Sequence, residues 1–286
     1  MKLSKKHDPT RTATRVNKAQ AEVRRRCRQA AKDASDYVLS LPRIEVNKDY
    51  SFETDPMLID KIERYIKRTM KKAFGDGGWL FEDYVESTYA AGTLQAMATL
   101  AAQGTPYNYD AIRAVSTPAY QLRLQLIASR TFEEMENFTD AVTTKVRGIL
   151  GRAVLDGLNP VAVAQEVANA VNGETYRGER IARTEITTAL RRGRMDEADA
   201  ASAQIGVAVM MMHISAFAPT SRLTHMDRHG KLYTSQDCRL WWSVDGNSIN
   251  CLCSTIEVFV DNNGKPLAAG LLKRAAAIKE KFEGEL

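Results

Sequence analysis

The sequence predicts an α+β fold, with a mainly helical N-terminal region and a small antiparallel β-sheet module near the C-terminus. Up to about residue 201, apolar residues recur at helical spacing between Gly, Pro and Asn breakers. After Ile205-Gly206 the pattern changes to short runs rich in β-branched residues and Met, the signature of strands. Three of the four histidines and three of the four cysteines fall between His213 and Cys253. The side chains most able to bind a metal or do chemistry are therefore concentrated in the sheet module.

Taken in order, residues 1–45 form a basic arm and helix. Residues 1–29 carry ten Lys or Arg against Asp8 and Glu22, which exceeds the net charge of +5 for the whole chain. Such an arm points to a polyanion or an acidic protein surface. Arg24, Arg25, Arg26 and Arg28 lie on a predicted helix over 16–39, distributed around it rather than along one stripe, and are the candidate contacts to nucleic acid or an acidic surface. The alternative is a solvated basic helix with no partner. Residues 42–56 read as a connector.

Residues 46–130 form the next helical region. Leu58, Ile62, Ile66 and Met70 make a helical stripe closed by Gly75-Asp76-Gly77-Gly78, and an Ala-rich helix over 81–103 stops at Gly104-Thr105-Pro106. The small residues of that second helix allow close approach of a neighbour. A third helical stretch, 110–129, is expected to break or kink at Pro118.

Residues 131–264 form the α+β domain and 265–286 a terminal helix. Thr131 and Glu134 have capping-box spacing ahead of a helix whose Met135, Phe138, Val142, Val146, Ile149 and Ala153 share a face, with Gly157 as its stop. Asn159-Pro160 has the N-cap and first-residue chemistry of a new helix ending at Asn172-Gly173. A helix over 176–201 then carries Ala182, Ile186, Ala189, Leu190 and Gly193 on one stripe, flanked by Arg183 and Glu185. A strand is expected over 207–217, and 223–226 with 231–234 are expected to form a hairpin around Gly230. The last strand, 251–260, alternates so that Cys251 and Cys253 share one face.

Four motifs in order, Ala182-Arg183-Thr184-Glu185, Arg222 to His225, Gly230 to Tyr233, and Asn250-Cys251-Leu252-Cys253, resemble the Mu F-like family of tailed-phage minor head, or head morphogenesis, proteins. The resemblance covers roughly 130–260. Ser248-Ile249 stands where the family often has His-Pro, and Leu252 where it has Arg. It implies a virion structural protein, placed at the capsid interior or portal vertex after assembly in the host cytoplasm. The partners it implies are portal protein and other capsid or scaffold proteins, with packaged DNA meeting the basic arm and an oligomer imposed by the portal or capsid. Arg183, Glu185, Arg222, Gly230 and Asn250 are its motif residues, with a structural role.

No catalytic residues are assigned. Cys238, Cys251 and Cys253 with either His225 or His229 are enough soft ligands for a tetrahedral structural zinc, His225 being the histidine taken as candidate, although their spacing is unlike a Cys-x2-Cys knuckle. The other reading is reduced, packed cysteines beside a hydrogen-bonded histidine, with no cofactor. The rival function is a small enzyme, a transferase or nuclease-like toxin, built on this Cys/His module. It requires His225, a cysteine and an acidic side chain converging in an open cleft. No P-loop, dinucleotide-binding glycine pattern or His-Glu-x-x-His is present. No apolar run is long enough to span a membrane and no apolar signal core opens the chain, so a soluble product with no membrane partner is expected.

Overall fold

The computed structural model describes residues 8–46, 49–52, 57–104, 107, 110, 114–156 and 158–283. Lys2, Lys5 and Lys6 of the basic arm, the Thr105-Pro106 stop and Gly157 lie outside them. The fold is α+β, mainly helical, with a three-stranded antiparallel sheet near the C-terminus. No helix among the described residues is long and apolar enough to cross a membrane. The chain divides into two compact units. One is built from Met1–Asn17, Glu82–Ala128 and Arg183–Leu286, the other from Lys18–Phe81 and Ser129–Ala182.

The second unit is helical apart from one hairpin. Helix α1 (Ala13–Ser40) buries Val23, Cys27, Ala34 and Val38 along one face, so the arginine-rich helix is a core element rather than a free arm. The stretch 42–56 is not a plain connector. β1 (Arg43–Val46) and β2 (Asp49–Phe52) pair antiparallel, Arg43 opposite Phe52, because apolar and polar residues alternate across both. Helix α2 (Leu58–Phe74) buries Leu58, Ile62, Ile66, Met70 and Phe74. It ends at Gly75, whose φ of 60° lets its N–H bond Lys71 O.

Helix α4 (Pro118–Leu155) bears out one expectation and corrects another. Of the break or kink expected at Pro118 the structure has the break: a turn and bend at Ser116 and Thr117 follow a helical stretch and Pro118 opens the new helix, since a proline in the first turn removes an N–H that has no partner there. Thr131 does not cap a new helix. No Gly or Pro lies between Pro118 and Gly148, so the carbonyls of the preceding turn continue the ladder and Thr131 is buried mid-helix. The expected stripe from Met135 to Ala153 is buried throughout, and Phe138 meets Phe74 edge-on at 5.1 Å. Asn159 caps α5 (Pro160–Gly173) by accepting from Val161 N at 2.8 Å.

A single turn, Gly78–Leu80, and a π-helical turn, Phe81–Val85, lead into α3 (Glu86–Ala101) of the first unit. α3 crosses the later half of α6 (Thr175–Ile205) at a pair of glycines. A Cβ on Gly92 would lie 2.3 Å from Leu190 O, and one on Gly193 2.3 Å from Tyr89 O. The sheet has order β4-β3-β5, from β3 (Val209–Ile214), β4 (Leu232–Tyr233) and β5 (Ser254–Phe259). One face, with Val209, Met211, His213, Thr255, Glu257 and Phe259, looks toward α6 and α3. The other, with Met212 and Val258, packs on Ala275 of α8 (Gly270–Glu283). Residues 223–226 are not a hairpin strand. They form a helical turn, Leu223–Met226, in which His225 N and Met226 N both bond Arg222 O. Gly230, at φ 76°, instead brings the chain to β3, where its N–H bonds His213 O at 2.9 Å.

Candidate functional site

The later half of α6 is the beam on which the sheet module is assembled. Ile186, Ala189, Leu190, Ala198 and Ala201 give it apolar contact, and two arginines on the same side are buried with them. Arg191, 1% exposed, donates to Cys251 O and Cys253 O at 3.3 Å each and to Thr188 Oγ1 at 3.0 Å, with its guanidinium 4.7 Å from the Trp242 ring. Arg194 donates through two nitrogens to the Glu257 carboxylate and through a third to Gln95 of α3. These groups bind main chain and strand β5 so that the cysteine segment has one position relative to the helix.

The motif residues close on one another in the same way. Thr184 Oγ1 accepts the Asn250 N–H at 2.9 Å, where Asn250 sits at φ 58°. Arg222 donates to Gly246 O and Asn247 O, each at 3.0 Å, and to Ile249 O at 3.2 Å, so one planar fork gathers the three carbonyls of a loop. α7 (Ser235–Ser243) begins with a capping box between Thr234 and Asp237. It places Cys238 and Trp242 inward, in an apolar cluster with Met195, Met211, Cys251 and Cys253.

His225, Cys251 and Cys253 form a group that could hold a metal ion. All three are buried, and their donor atoms lie within 4.8 Å of one another. His225 Nδ1 is 3.4 Å from Cys251 Sγ and 3.6 Å from Cys253 Sγ. The cysteines precede β5 rather than lying in it, yet their thiols still meet on one side as the spacing predicts. Cys238 shares the apolar cluster but is not in this donor group, and burial pushes its thiol up to about 11. All four cysteines are free. Cys251 loses its proton well before Cys253, because the Cys253 thiol bonds it and His225 and Arg191 are close. The same bond holds the Cys253 proton on.

Beside the group is a recess of about 40 Å³, lined by Arg183, Ser221, Arg222, Asn250 and the three donors, with no carboxylate on its walls. That volume holds a water or an ion, whereas small-molecule sites are typically about 300–1,000 Å³. Glu185 is buried in α6 and does not line the recess. Gly230 lies next to His229, whose Nδ1 accepts Ser215 N at 3.0 Å, so its Nε2 carries the proton that goes to Ala275 O at 3.1 Å.

The four arginines of α1 are placed elsewhere. Arg24 pairs with Glu179 and Arg25 with Glu22. Arg26 pairs with Glu22, donates to Ala73 O and lies 4.5 Å from the Trp79 ring centre. Arg28 is exposed. Near the sheet, Arg239 binds Asp196 and Asp199, and Arg228 lies 3.6 Å from the Tyr233 ring and 4.3 Å from Trp241.

Four participants were not singled out from sequence. Arg191 and Arg194 carry a signal only in their spacing of three, which puts them on one helix face. Glu257 carried a signal, a carboxylate on the strand face that a helix must cover. His213 is 0% exposed, and neither ring nitrogen has a hydrogen-bond partner. Its ring lies 5.4 Å from both Trp241 and Trp242 and 6.5 Å from His225, and burial lowers its pKa to about 3. No family model, curated protein or solved structure matches the chain.

Proposed function

We propose that the chain is a structural protein of a tailed-phage head, of the minor-head kind its ordered motifs resemble, and that the C-terminal module is a rigid docking unit. One observation carries the reading. Residues of three of those motifs, far apart in sequence, meet in one knot: Thr184 at Asn250 N and, from its exposed rim, Arg222 at three loop carbonyls both hold main chain, while buried His225 faces the two cysteine sulfurs. Groups spent on holding backbone give a fixed surface for a neighbouring subunit. In this reading the metal of the knot is zinc, which suits two sulfurs and an imidazole and would stiffen a sheet of only three strands. Portal protein is the proposed neighbour. Exposed Arg28 is the part of the helix offered to packaged DNA or to an acidic capsid surface, together with Lys2, Lys5 and Lys6, which lie outside the described residues.

The test is to purify particles and the proteins bound to this chain from infected cells, and identify them by mass spectrometry. The reading expects the chain at low copy in particles and portal protein in the bound fraction. Absence of the chain from particles would overturn it.

The rival enzyme reading draws on the 3.4 Å contact between Cys251 Sγ and His225 Nδ1 and the lowered pKa of Cys251, a pairing that activates thiols. It needs substrate to reach a thiol that is buried beside a 40 Å³ recess. If a Cys251→Ser chain assembles into particles as wild type does but loses a transferase or nuclease activity that the wild type has, the enzyme reading replaces the structural one.

A further inference from the structure

We infer that His213 is the fourth ligand of the metal centre, making it a closed site of two cysteines and two histidines in which Cys238 takes no part. The inference rests on the metal part of the reading above and not on the phage assignment.

The spacing of the three donors already matches a tetrahedron. Zinc bonds of about 2.3 Å to sulfur and 2.0–2.1 Å to nitrogen, at the tetrahedral angle, put sulfur and nitrogen roughly 3.6 Å apart. The two sulfur–nitrogen distances here are 3.4 and 3.6 Å. A fourth donor has to come either from the recess side, as solvent, or from the protein interior.

The interior supplies one. His213 projects from the same face of β3 as Met211, which packs against Cys251 and Cys253. Its imidazole is 0% exposed with both nitrogens unpartnered, and His225 Nε2 is unpartnered as well. Buried imidazole nitrogens are ordinarily satisfied, so a ring orphaned at both positions beside two thiols marks a missing partner. Two imidazoles on one tetrahedral zinc have ring centres about 5–6 Å apart. The His213 and His225 centres are 6.5 Å apart and His213 stands outside the 4.8 Å group of the other three donors, so the ring has to move inward to complete the site. Trp241 and Trp242 flank His213 and confine the ring. Thr255, directly across the strands from His213, has a buried hydroxyl with no partner, and so offers an acceptor for the ring nitrogen that does not bind metal.

Charge supports the same set. A divalent zinc with two thiolates and two neutral imidazoles is neutral overall, which a buried apolar cluster tolerates. Using Cys238 as a third thiolate would leave a net negative centre in that cluster.

Full-length protein is purified under reducing conditions, stripped of metal and titrated with zinc against a chelator, and with cobalt as a spectroscopic probe. The wild type is expected to bind one equivalent and give the intense d–d absorption of four-coordinate cobalt with thiolate charge transfer. His213→Phe, which keeps a flat ring between the tryptophans, is expected to weaken binding at least about tenfold and weaken the d–d bands as water enters the fourth position. Cys238→Ser is expected to change neither. Should His213→Phe fail to fold, His213→Cys serves instead, retaining the metal and raising thiolate charge transfer by about half as it adds a third sulfur. A wild type that binds no metal overturns both the zinc reading and this inference. Metal binding unchanged by His213→Phe, charge transfer not raised in His213→Cys, or metal binding lost in Cys238→Ser, overturns this inference alone. In the first of those cases a buried water, not an ion, serves His213.

Discussion

Arg194 of α6 and Glu257 of β5 form a two-point ion pair, Nε to Oε1 at 2.9 Å and Nη2 to Oε2 at 2.7 Å, with side chains 6% and 0% exposed. Sixty-three residues separate them in sequence, and the pair sets helix against sheet. Removing either partner leaves a buried charge without its counter-ion, which costs about 3–5 kcal/mol. Arg194→Met and Glu257→Leu are each expected to lower the unfolding free energy in urea by that much, while the double variant recovers most of the loss because both charges are gone. Single variants within about 1 kcal/mol of wild type would mean that water reaches the pair.

The glycine crossing of α3 and α6 should be intolerant of a single methyl. At Gly193 a Cβ would lie 2.3 Å from Tyr89 O, a backbone atom with no room to yield. Gly193→Ala is expected to destabilise by about 1–3 kcal/mol or more. At Gly151 in α4 the position a Cβ would take has nothing within 4 Å of it, so Gly151→Ala is expected to stabilise by about 0.5–1 kcal/mol. Thermal denaturation of the two variants should move in opposite directions, and the crossing argument fails if both move upward.

His229 gives the fold a pH dependence. Burial lowers its pKa from 6.5, and its ring is held neutral by accepting Ser215 N and donating to Ala275 O. Below pH 6.5 the unfolded chain takes up a proton at this residue that the native state refuses. The stability contributed by His229 is therefore present above 6.5 and lost as pH falls toward and through its folded value, at up to ~1.4 kcal/mol per pH unit. His229→Gln is expected to flatten stability against pH below 6.5. An unchanged slope would assign the dependence to other groups.

How much of this was legible in the sequence differs from element to element. The α+β class, the Asn159-Pro160 helix start and the stripe from Met135 to Ala153 were legible because breakers and periodicity act locally. The Thr131 cap was misleading because a cap is needed only where the preceding turn cannot supply carbonyls, which depends on what precedes it. The supposed hairpin at 223–234 was misread because β4 pairs with β3, and strand pairing is a long-range choice. In the site, the meeting of Cys251 and Cys253 on one side followed from their spacing, while which histidine joins them, His225 or His229, was decided only by the fold. The place of His213 did not, since only the approach of β3 to the segment before β5 brings that ring beside the thiols. Arg191 was hidden for a related reason: an arginine inside a basic run looks solvated until the carbonyls of Cys251 and Cys253 are known to face it.

The central claim is that the cysteine and histidine knot is a closed structural lock and not an open cleft. The most direct measurement is the alkylation rate of each cysteine in native full-length protein, followed by peptide mass spectrometry against the urea-unfolded chain. All four thiols are buried, so Cys251 and Cys253 are expected to stay unmodified in the native protein over a period in which the unfolded chain reacts completely. Stoichiometric labelling of native Cys251 at the rate seen in the unfolded chain would contradict the account.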